Sequence, residues 1–252
     1  MVSRGILVGS DKKSEWLLPI WWKHYSFHFT HPVAFVDFGL SENGKKFCKE
    51  RGELIPFEID VSHVIQKTNP PIGISDSNGM SGFREFRNAW LKKPFACFLS
   101  PFDETIWIDV DCVILKPIDS LFSNLTSGAD IAIVQEFEEI ENNARHVKII
   151  NADETLYNSG LIVFSKKSET IQNWIKILYT EHYLFPGDQD ALSKVIYLNK
   201  PKITELSRNY NWPWFFPKND DAHIIHFLGP RGKEVLRNQT RVNDHADGFP
   251  SL

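Results

Sequence analysis

The sequence has no long hydrophobic run, no closely spaced pair of cysteines and no strong charge of either sign. No apolar segment approaches the roughly 18 consecutive residues of a membrane-spanning helix, and we expect no signal peptide or membrane anchor. Cys48, Cys97 and Cys112 are widely spaced, which argues against a zinc knuckle or disulfide framework and favours a reducing compartment. A net charge of −4 gives no long-range attraction to nucleic acid. We therefore expect a cytoplasmic protein with no nucleic-acid partner, and a peripheral membrane contact stays open.

What the sequence does contain is an alternation of short apolar runs and helical patterns, which is typical of βαβ units. The apolar runs predict strands near residues 6–8, 33–36, 54–57, 105–110, 130–134, 161–164 and 222–225. The helical patterns cover residues 16–24, 41–49, 83–98, 168–181 and 188–196. We predict an α/β fold with a mostly parallel mixed sheet flanked by helices. It would form one domain over residues 1–252, with an irregular, aromatic-rich part from about residue 200.

Two acidic residues, Asp109 and Asp111, stand at the end of the most clearly buried predicted strand. Ligands of open α/β sheets collect beyond the carboxyl ends of the strands, and residues two apart in an extended segment share a face. Two carboxylates held close together repel each other, and a divalent cation removes that conflict. The alternative is that both are turn or cap residues. Spacing alone favours that alternative, because a second Asp-x-Asp occurs at residues 188 and 190.

Four blocks of sequence, taken in order, resemble motifs of GT-A-fold glycosyltransferases, in particular those of glycosyltransferase family 8. They are an Asp-x-Asp segment (107–122), an Asn-Ser-Gly segment (157–164), an Asp-Gln-Asp segment (187–192) and a His-x-x-Gly segment (225–233). Residues 89–96 also resemble a segment that precedes the Asp-x-Asp strand in related transferases. The resemblance spans most of residues 5–235. It implies the GT-A fold, a Rossmann-like fold of nucleotide-diphospho-sugar transferases, and the transfer of a hexose from a UDP-linked donor to a saccharide or glycan acceptor.

The resemblance also implies a metal site formed by Asp109, Asp111 and His226. The cation would bridge the donor diphosphate and stabilise the charge that builds on the leaving group. Carboxylate oxygens suit Mg²⁺ or Mn²⁺, and the added imidazole favours Mn²⁺. Taken alone, His226 would be an ordinary core or surface histidine.

The C-terminal motif implies further contacts with the donor phosphates. Lys233, together with Arg231, would add positive charge beside them, and Gly229 would let the backbone approach them closely. The sequence departs from the family pattern here. One extra residue separates Gly229 from Lys233, and Glu234 stands in place of a proline.

For the donor sugar, the resemblance implies that Asn158 and Asp188 form hydrogen bonds with hydroxyl groups, and it places Gln189 near the anomeric carbon. Without the motifs, Asp188 would be a helix N-cap and Asn158 a turn residue before a strand. We interpret Asp188 and Gln189 as the catalytic pair.

The remaining donor contacts are expected at the ends of the first two strands and on a nearby helix. Ser10 and Asp11 would lie near the nucleobase or ribose, and Asp37 ends the second strand at the same sheet edge. Arg84 or Arg87 would reach the phosphates or the sugar, although arginines on helix surfaces usually bind nothing specific.

Family 8 enzymes retain the anomeric configuration, and the block around Gln189 predicts the same here. A double displacement needs a carboxylate nucleophile, whereas the resemblance places an amide at that position. Front-face displacement assisted by the leaving phosphate is therefore favoured. An inverting enzyme would need a carboxylate general base, for which Asp190, Asp220 and Asp221 are candidates.

Two further segments carry predictions about substrate access. The aromatic segment 209–217 is either an acceptor wall or a hydrophobic plug or docking patch, since sugars and apolar cores both pack on aromatic rings. The loop 68–82, rich in Pro, Gly, Ser and Asn, is a candidate lid over the donor.

Two other functions compete with glycosyl transfer. A sugar nucleotidyltransferase would carry a glycine-rich, basic phosphate loop after the first strand, and residues 9–14 lack one. A non-catalytic nucleotide-sugar or carbohydrate-binding protein on the same scaffold would be expected to have lost metal ligands, whereas Asp109, Asp111 and His226 are all present.

Overall fold

The computed structural model describes residues 2–66, 87–125 and 128–243. The strands are β1 (Arg4–Ser10), β2 (Val33–Asp37), β3 (Glu53–Pro56), β4 (Glu104–Ile108), β5 (Cys112–Ile114), β6 (Ile131–Gln135), β7 (Tyr157–Ser165), β8 (Ile203–Leu206), β9 (Trp212–Pro213) and β10 (Ile224–His226). The α-helices are α1 (Leu18–His28), α2 (Glu42–Lys49), α3 (Ser62–Gln66), α4 (Lys93–Phe98), α5 (Glu138–His146), α6 (Glu169–Glu181), α7 (Asp188–Asn199) and α8 (Gly229–Asn243), and residues 87–90 are also helical.

Seven strands form one mixed sheet in the order β3-β2-β1-β4-β7-β6-β8. Strand β7 runs antiparallel to both of its neighbours, and the other pairs are parallel. The carboxyl ends of β1, β2 and β4 therefore meet at one edge of the sheet, where β7 begins. The predicted α/β fold with a mostly parallel mixed sheet is confirmed.

Helices cover both faces of this sheet because neighbouring strand residues point to opposite sides. In β1, Leu7 packs in a core with Trp174 of α6, whereas Ile6 and Val8 pack in a second core with Trp21 of α1. Helices α4 and α7 lie on the same face as α6. Burial of these aliphatic and aromatic side chains is the main stabilising contribution to the fold.

A small second sheet, in the order β5-β10-β9, stands beside the edge that carries the acidic residues. Strand β10 is antiparallel to β5, with His226 paired to Cys112, and it is parallel to β9. Strand β5 begins four residues after the end of β4. This sheet therefore brings a C-terminal strand next to the loop that follows β4.

Each predicted strand has a counterpart in the structure, and so do the predicted helices, within the described residues. The predicted helix 83–98 is interrupted by a turn at residues 91–92, and its residues 83–86 lie outside the described part of the chain. Helices α3, α5 and α8 and strands β5, β8 and β9 were not predicted. No helix in the described ranges is both long and apolar enough to cross a membrane.

The part after residue 200 is more regular than expected, since it holds β8, β9, β10 and α8. Its glycine- and proline-rich stretch at 229–232 suggests a loop, yet proline is well tolerated in the first turn of a helix. Helix α8 is held by packing of Leu236 against Phe227 and Leu17. The helix forms here despite its local composition, because its apolar face packs on residues that are distant in the sequence.

Candidate active site

The two aspartates of the Asp-x-Asp segment lie in a tight turn between β4 and β5. The backbone N–H of Asp109 donates to the carbonyl oxygen of Gly160 on β7 (2.8 Å), and that of Cys112 donates back to the carbonyl oxygen of Asp109 (3.0 Å). The carbonyl oxygen of Asp111 accepts from the N–H of Phe227 (2.9 Å), which fixes the turn to the end of β10. The turn and the acidic site are thus one feature, and the two interpretations of these aspartates are compatible.

Strand β10 places the imidazole of His226 against both carboxylates. Its Nε2 lies 3.3 Å from Asp111 Oδ1 and 3.8 Å from Asp109 Oδ2. The ring is buried and lies directly over Gly160, where a Cβ atom would come within 2.4 Å of the ring Cε1. A glycine at position 160 is therefore required for the histidine to occupy this place.

Two lysines form ion pairs with the carboxylates of the site. Lys93, at the start of α4, is buried and lies 3.0 Å from Asp109 Oδ1 and 2.9 Å from Asp188 Oδ2. Lys233 of α8 forms an ion pair with Asp111. Burial acts to lower the pKa of Lys93, but the charges of Asp109 and Asp188 more than offset this and raise it. Burial likewise acts to raise the pKa of Asp111, but Lys233 and His226 hold it well below its usual range.

A second group of polar residues lies where β7 meets the start of α7. Asp188 accepts hydrogen bonds from the Ser159 hydroxyl (2.8 Å) as well as from Lys93. Glu136, which follows β6, accepts a hydrogen bond from the Asn158 side chain (2.6 Å). Burial raises the pKa of Glu136 above its ordinary value.

The acidic turn stands at the junction of two adjoining clefts. One cleft, with about 780 Å³ of empty space, is lined by Asn158, Asp188, Gln189, Asp190, His226 and Gly229. The other, of about 670 Å³, is lined by Gly9, Ser10, Asp11, Lys13, Phe38 and Trp107. Both share Asp109, Asp111, Lys93, Lys233 and Trp90. We call them the β7 cleft and the β1 cleft.

In the β1 cleft, Ser10 and Asp11 lie at the predicted end of the first strand. Ser10 is buried, and the Asp11 carboxylate accepts from the backbone N–H groups of Lys13 (3.0 Å) and Ser14 (2.9 Å). Asp37 caps the following turn instead, accepting from the N–H groups of Gly39 and Leu40.

The structure does not bring Arg87 to the acidic turn. Its guanidinium is buried and donates to the backbone carbonyl oxygens of Pro186 (3.0 Å), His182 (2.6 Å) and Phe185 (2.8 Å), the segment that leads into α7. The helical pattern around Arg87 does not show whether its side chain is exposed or buried. Arg84 and the loop 68–82 lie outside the described residues.

Of the three carboxylates considered as general bases, one lies in a cleft and two do not. Asp190 lines the β7 cleft and accepts from the N–H of Gly187 (2.8 Å), which helps to begin α7. Asp220 and Asp221 are exposed and lie near Lys218 (3.1 Å) and Lys116 (3.9 Å), away from both clefts.

The aromatic segment 209–217 contributes no ring to either cleft. Phe216 and Trp212 pack on Phe137 with ring centroids 4.2 Å and 5.1 Å apart, and Trp212, Trp214 and Phe216 line a separate groove. These rings therefore pack against one another and the adjoining surface. Asn211, in contrast, points inward and hydrogen-bonds the ring Nδ1 of His226 (2.9 Å).

Lys93, Asn211, Glu136 and Ser159 are the polar residues of the site that the sequence did not single out. Lys93 lies inside the segment 89–96 that resembled related transferases, so a signal was present. Ser159 likewise lies inside the Asn-Ser-Gly segment and Asn211 inside the aromatic segment, whereas nothing local marks Glu136. Cys112 is a further case, because its Sγ, one Asp111 oxygen and one His226 ring nitrogen all lie within 4.8 Å of one another.

Comparison with known proteins identifies the class. Residues 91–233 match the sequence profile of glycosyl transferase family 8, which covers more than half of the chain. The chain belongs to this family of glycosyltransferases, and its fold is of the GT-A type. No curated protein was found to match it by sequence.

Several solved structures share the fold at low sequence identity. The galactosyltransferase LgtC, in complex with donor and acceptor sugar analogues, aligns with a TM-score of 0.65 at 12% identity, covering 98% of both chains. Mouse xyloside xylosyltransferase 1 aligns with a TM-score of 0.60 at 15% identity, over 89% of this chain and 97% of that one. The glycosyltransferase GlyE of Streptococcus pneumoniae aligns with a TM-score of 0.58 at 17% identity, over 91% of this chain and 55% of that one.

Proposed function

We propose that the protein transfers a hexose from a UDP-linked donor to a saccharide or glycan acceptor, with retention of configuration and with Mn²⁺, or Mg²⁺, as cofactor. The observation that carries this proposal is the convergence of Asp109, Asp111 and His226 at the junction of two clefts. Family membership supports glycosyl transfer over sugar-nucleotide formation.

The donor atoms at the junction fit a hard divalent cation. Neighbouring ligands of an octahedral ion bound at about 2.1 Å lie roughly 3 Å apart, which is close to the separations of His226 Nε2 from the two carboxylates. Two carboxylates with one imidazole favour Mn²⁺ over Mg²⁺, whereas ligation by the Cys112 thiol would favour a softer ion. Burial and the neighbouring aspartates raise the pKa of Cys112, which disfavours the thiolate. When bound, the cation supplies Lewis-acid stabilisation of the donor diphosphate.

The chain's own charges support binding of the diphosphate at the same place. The carboxylates of Asp109, Asp111 and Asp188 face only two ammonium groups, those of Lys93 and Lys233. A bound divalent ion would therefore leave a net positive charge that attracts an anion. Lys233 would then contact phosphate oxygens, and the N-terminal turn of α8, with Gly229 at a φ of 76°, would offer backbone N–H groups. Arg231, in that turn, is exposed and is a further candidate for a phosphate contact.

The donor would extend into both clefts from this junction. Its nucleoside would lie in the β1 cleft near Ser10 and Asp11, and its sugar in the β7 cleft near Asn158 and Asp188. Asp188 is already fixed by Lys93 and Ser159, so it would accept hydrogen bonds from sugar hydroxyls without having to reorient.

Retention is proposed on the residues around the start of α7. Gln189, an amide, is a poor nucleophile, and Asp188 is held in an ion pair. Burial, together with the nearby carboxylates of Asp188 and Glu136, raises the pKa of Asp190 to about 7. A front-face displacement, in which the leaving phosphate assists the incoming hydroxyl, needs none of these groups as a nucleophile. The acceptor hydroxyl would enter through the open side of the β7 cleft.

The proposal is tested by incubating the protein with a panel of sugar nucleotides and Mn²⁺. NMR would follow donor hydrolysis and the anomeric form of the first sugar product. Hydrolysis of a UDP-hexose with release of the same anomer supports the proposal. Release of the opposite anomer would overturn retention, and failure to cleave any donor would overturn the choice of substrate class.

A further inference from the structure

We infer that Asn211 is a positioning residue that keeps a proton on Nδ1 of His226, so that the ring directs Nε2 toward Asp109 and Asp111. The inference rests on the proposed metal site for its purpose. The hydrogen-bond argument itself uses only the metal-free protein.

The argument begins at Asn158, whose amide orientation is fixed at both ends. Its Oδ1 lies 2.8 Å from the backbone nitrogen of Gly160, which can only donate. Its Nδ2 lies 2.6 Å from Glu136 Oε1. Reversing this amide would place an N–H₂ group against the N–H of Gly160, so the oxygen must face the glycine.

Asn158 in turn fixes the orientation of Asn211. The oxygen of Asn158 also lies 2.6 Å from Asn211 Nδ2, and an oxygen at that distance needs a donor as its partner. Turning Asn211 around would bring two amide oxygens together at 2.6 Å. The Nδ2 of Asn211 must therefore face Asn158.

The remaining atom of Asn211, its Oδ1, lies 2.9 Å from Nδ1 of His226. An amide oxygen can only accept, so Nδ1 must carry a proton and donate it. A neutral imidazole with its proton on Nδ1 has a free electron pair on Nε2, which lies 3.3 Å from Asp111 and 3.8 Å from Asp109. The chain of amides thus presents the nitrogen that a cation at the aspartates would need.

Packing holds this chain in one arrangement. Asn211 and His226 are 3% and 5% exposed, and Asn158 and Glu136 are similarly buried, so none can exchange its partner for bulk water. The His226 ring is also confined by Gly160. Residues that orient a metal-binding histidine through its second nitrogen usually contribute about 10- to 100-fold to metal affinity.

The test combines ring-nitrogen NMR with metal binding on the full chain. The ¹⁵N signals of His226 would be assigned by comparison with His226→Gln, in the absence of metal. We expect a protonated Nδ1 in the wild-type protein, and a ring that samples both tautomers in Asn211→Leu. An unprotonated Nδ1 in the wild-type protein would overturn the inference, whether or not the variant folds.

Titration with Mn²⁺ alone supplies the second measurement. We expect Asn211→Leu to bind about 10- to 100-fold more weakly than the wild type. Asn209→Leu lies in the same segment, and the Asn209 side chain accepts a hydrogen bond from Asn219 rather than contacting His226, so this variant is expected to bind normally. Equal binding by Asn211→Leu and wild type would overturn the positioning role while leaving the metal site intact. Absence of Mn²⁺ binding by the wild type would overturn the metal site instead, and the NMR result would still decide the tautomer.

Discussion

The ammonium group of Lys93 lies 2.9 Å from Asp188, and this buried ion pair joins the start of α4 to the start of α7 across the β7 cleft. The same ammonium lies 3.0 Å from Asp109. One lysine therefore connects the carboxylate proposed to bind the cation with the carboxylate proposed to bind the sugar.

Replacing Lys93 by methionine should destabilise the protein by about 3–5 kcal/mol, because two buried carboxylates lose their shared cation. Mn²⁺ should recover part of that loss, so it should raise the melting temperature of the variant more than that of the wild type. Chemical and thermal denaturation with and without Mn²⁺ measure both effects. Lys92→Met is the matched control, since Lys92 bonds the carbonyl oxygen of Phe38 and neither aspartate. Wild-type stability in Lys93→Met would show that the ion pair is energetically unimportant.

Replacing Gly160 by alanine should displace His226, since the new Cβ would lie 2.4 Å from its Cε1 and 2.6 Å from its Nδ1. We expect a loss of about 1–3 kcal/mol of stability from overpacking, together with weaker Mn²⁺ binding. Gly187→Ala provides the comparison, because a Cβ there meets its nearest neighbour at 3.5 Å and the φ of −143° suits alanine. If Gly160→Ala bound Mn²⁺ as well as Gly187→Ala does, His226 would not be a ligand.

The pKa of Asp190, raised to about 7 mainly by burial, predicts a pH-dependent stability. Between about pH 4 and 7 the native state keeps this proton while the unfolded state has lost it, so stability should fall as pH rises. The slope should approach about 1.4 kcal/mol per pH unit for this group. Asp190→Asn should remove that part of the slope in urea denaturation, whereas Asp220→Asn, at an exposed site, should keep the wild-type slope. Identical slopes for wild type and Asp190→Asn would contradict the assignment.

The strands and the placement of Asp109 and Asp111 could be predicted because both depend on local patterns. An apolar run of strand length followed by acidic residues predicts a ligand site at the edge of the sheet, whatever the position of that strand within the sheet. His226 was reached only through its motif, since 115 residues separate it from Asp111 and β10 must pair with β5 to join them.

Two polar partners of the site, Asn211 and Glu136, could not be predicted from local patterns. Asn211 stands within the aromatic segment, which drew attention to the rings, yet its amide points into the site and the rings do not. Glu136 follows a strand with no motif around it. Arg87 was predicted to bind the phosphates or the sugar because it is a basic residue close to the site in sequence. Its guanidinium instead donates to three backbone carbonyl oxygens.

The most direct test of the central claim is thermal melting of the wild type and Asp111→Asn with UDP, each with and without Mn²⁺. A ligand that binds only the native state raises the melting temperature. We predict that UDP raises the melting temperature of the wild type only when Mn²⁺ is present, and that Asp111→Asn shows no such UDP-dependent rise. The control Asp221→Asn, at an exposed aspartate, should behave as the wild type does. A UDP-dependent rise that needs no Mn²⁺, or one that Asp111→Asn retains in full, would contradict a metal-bridged donor site at Asp109, Asp111 and His226.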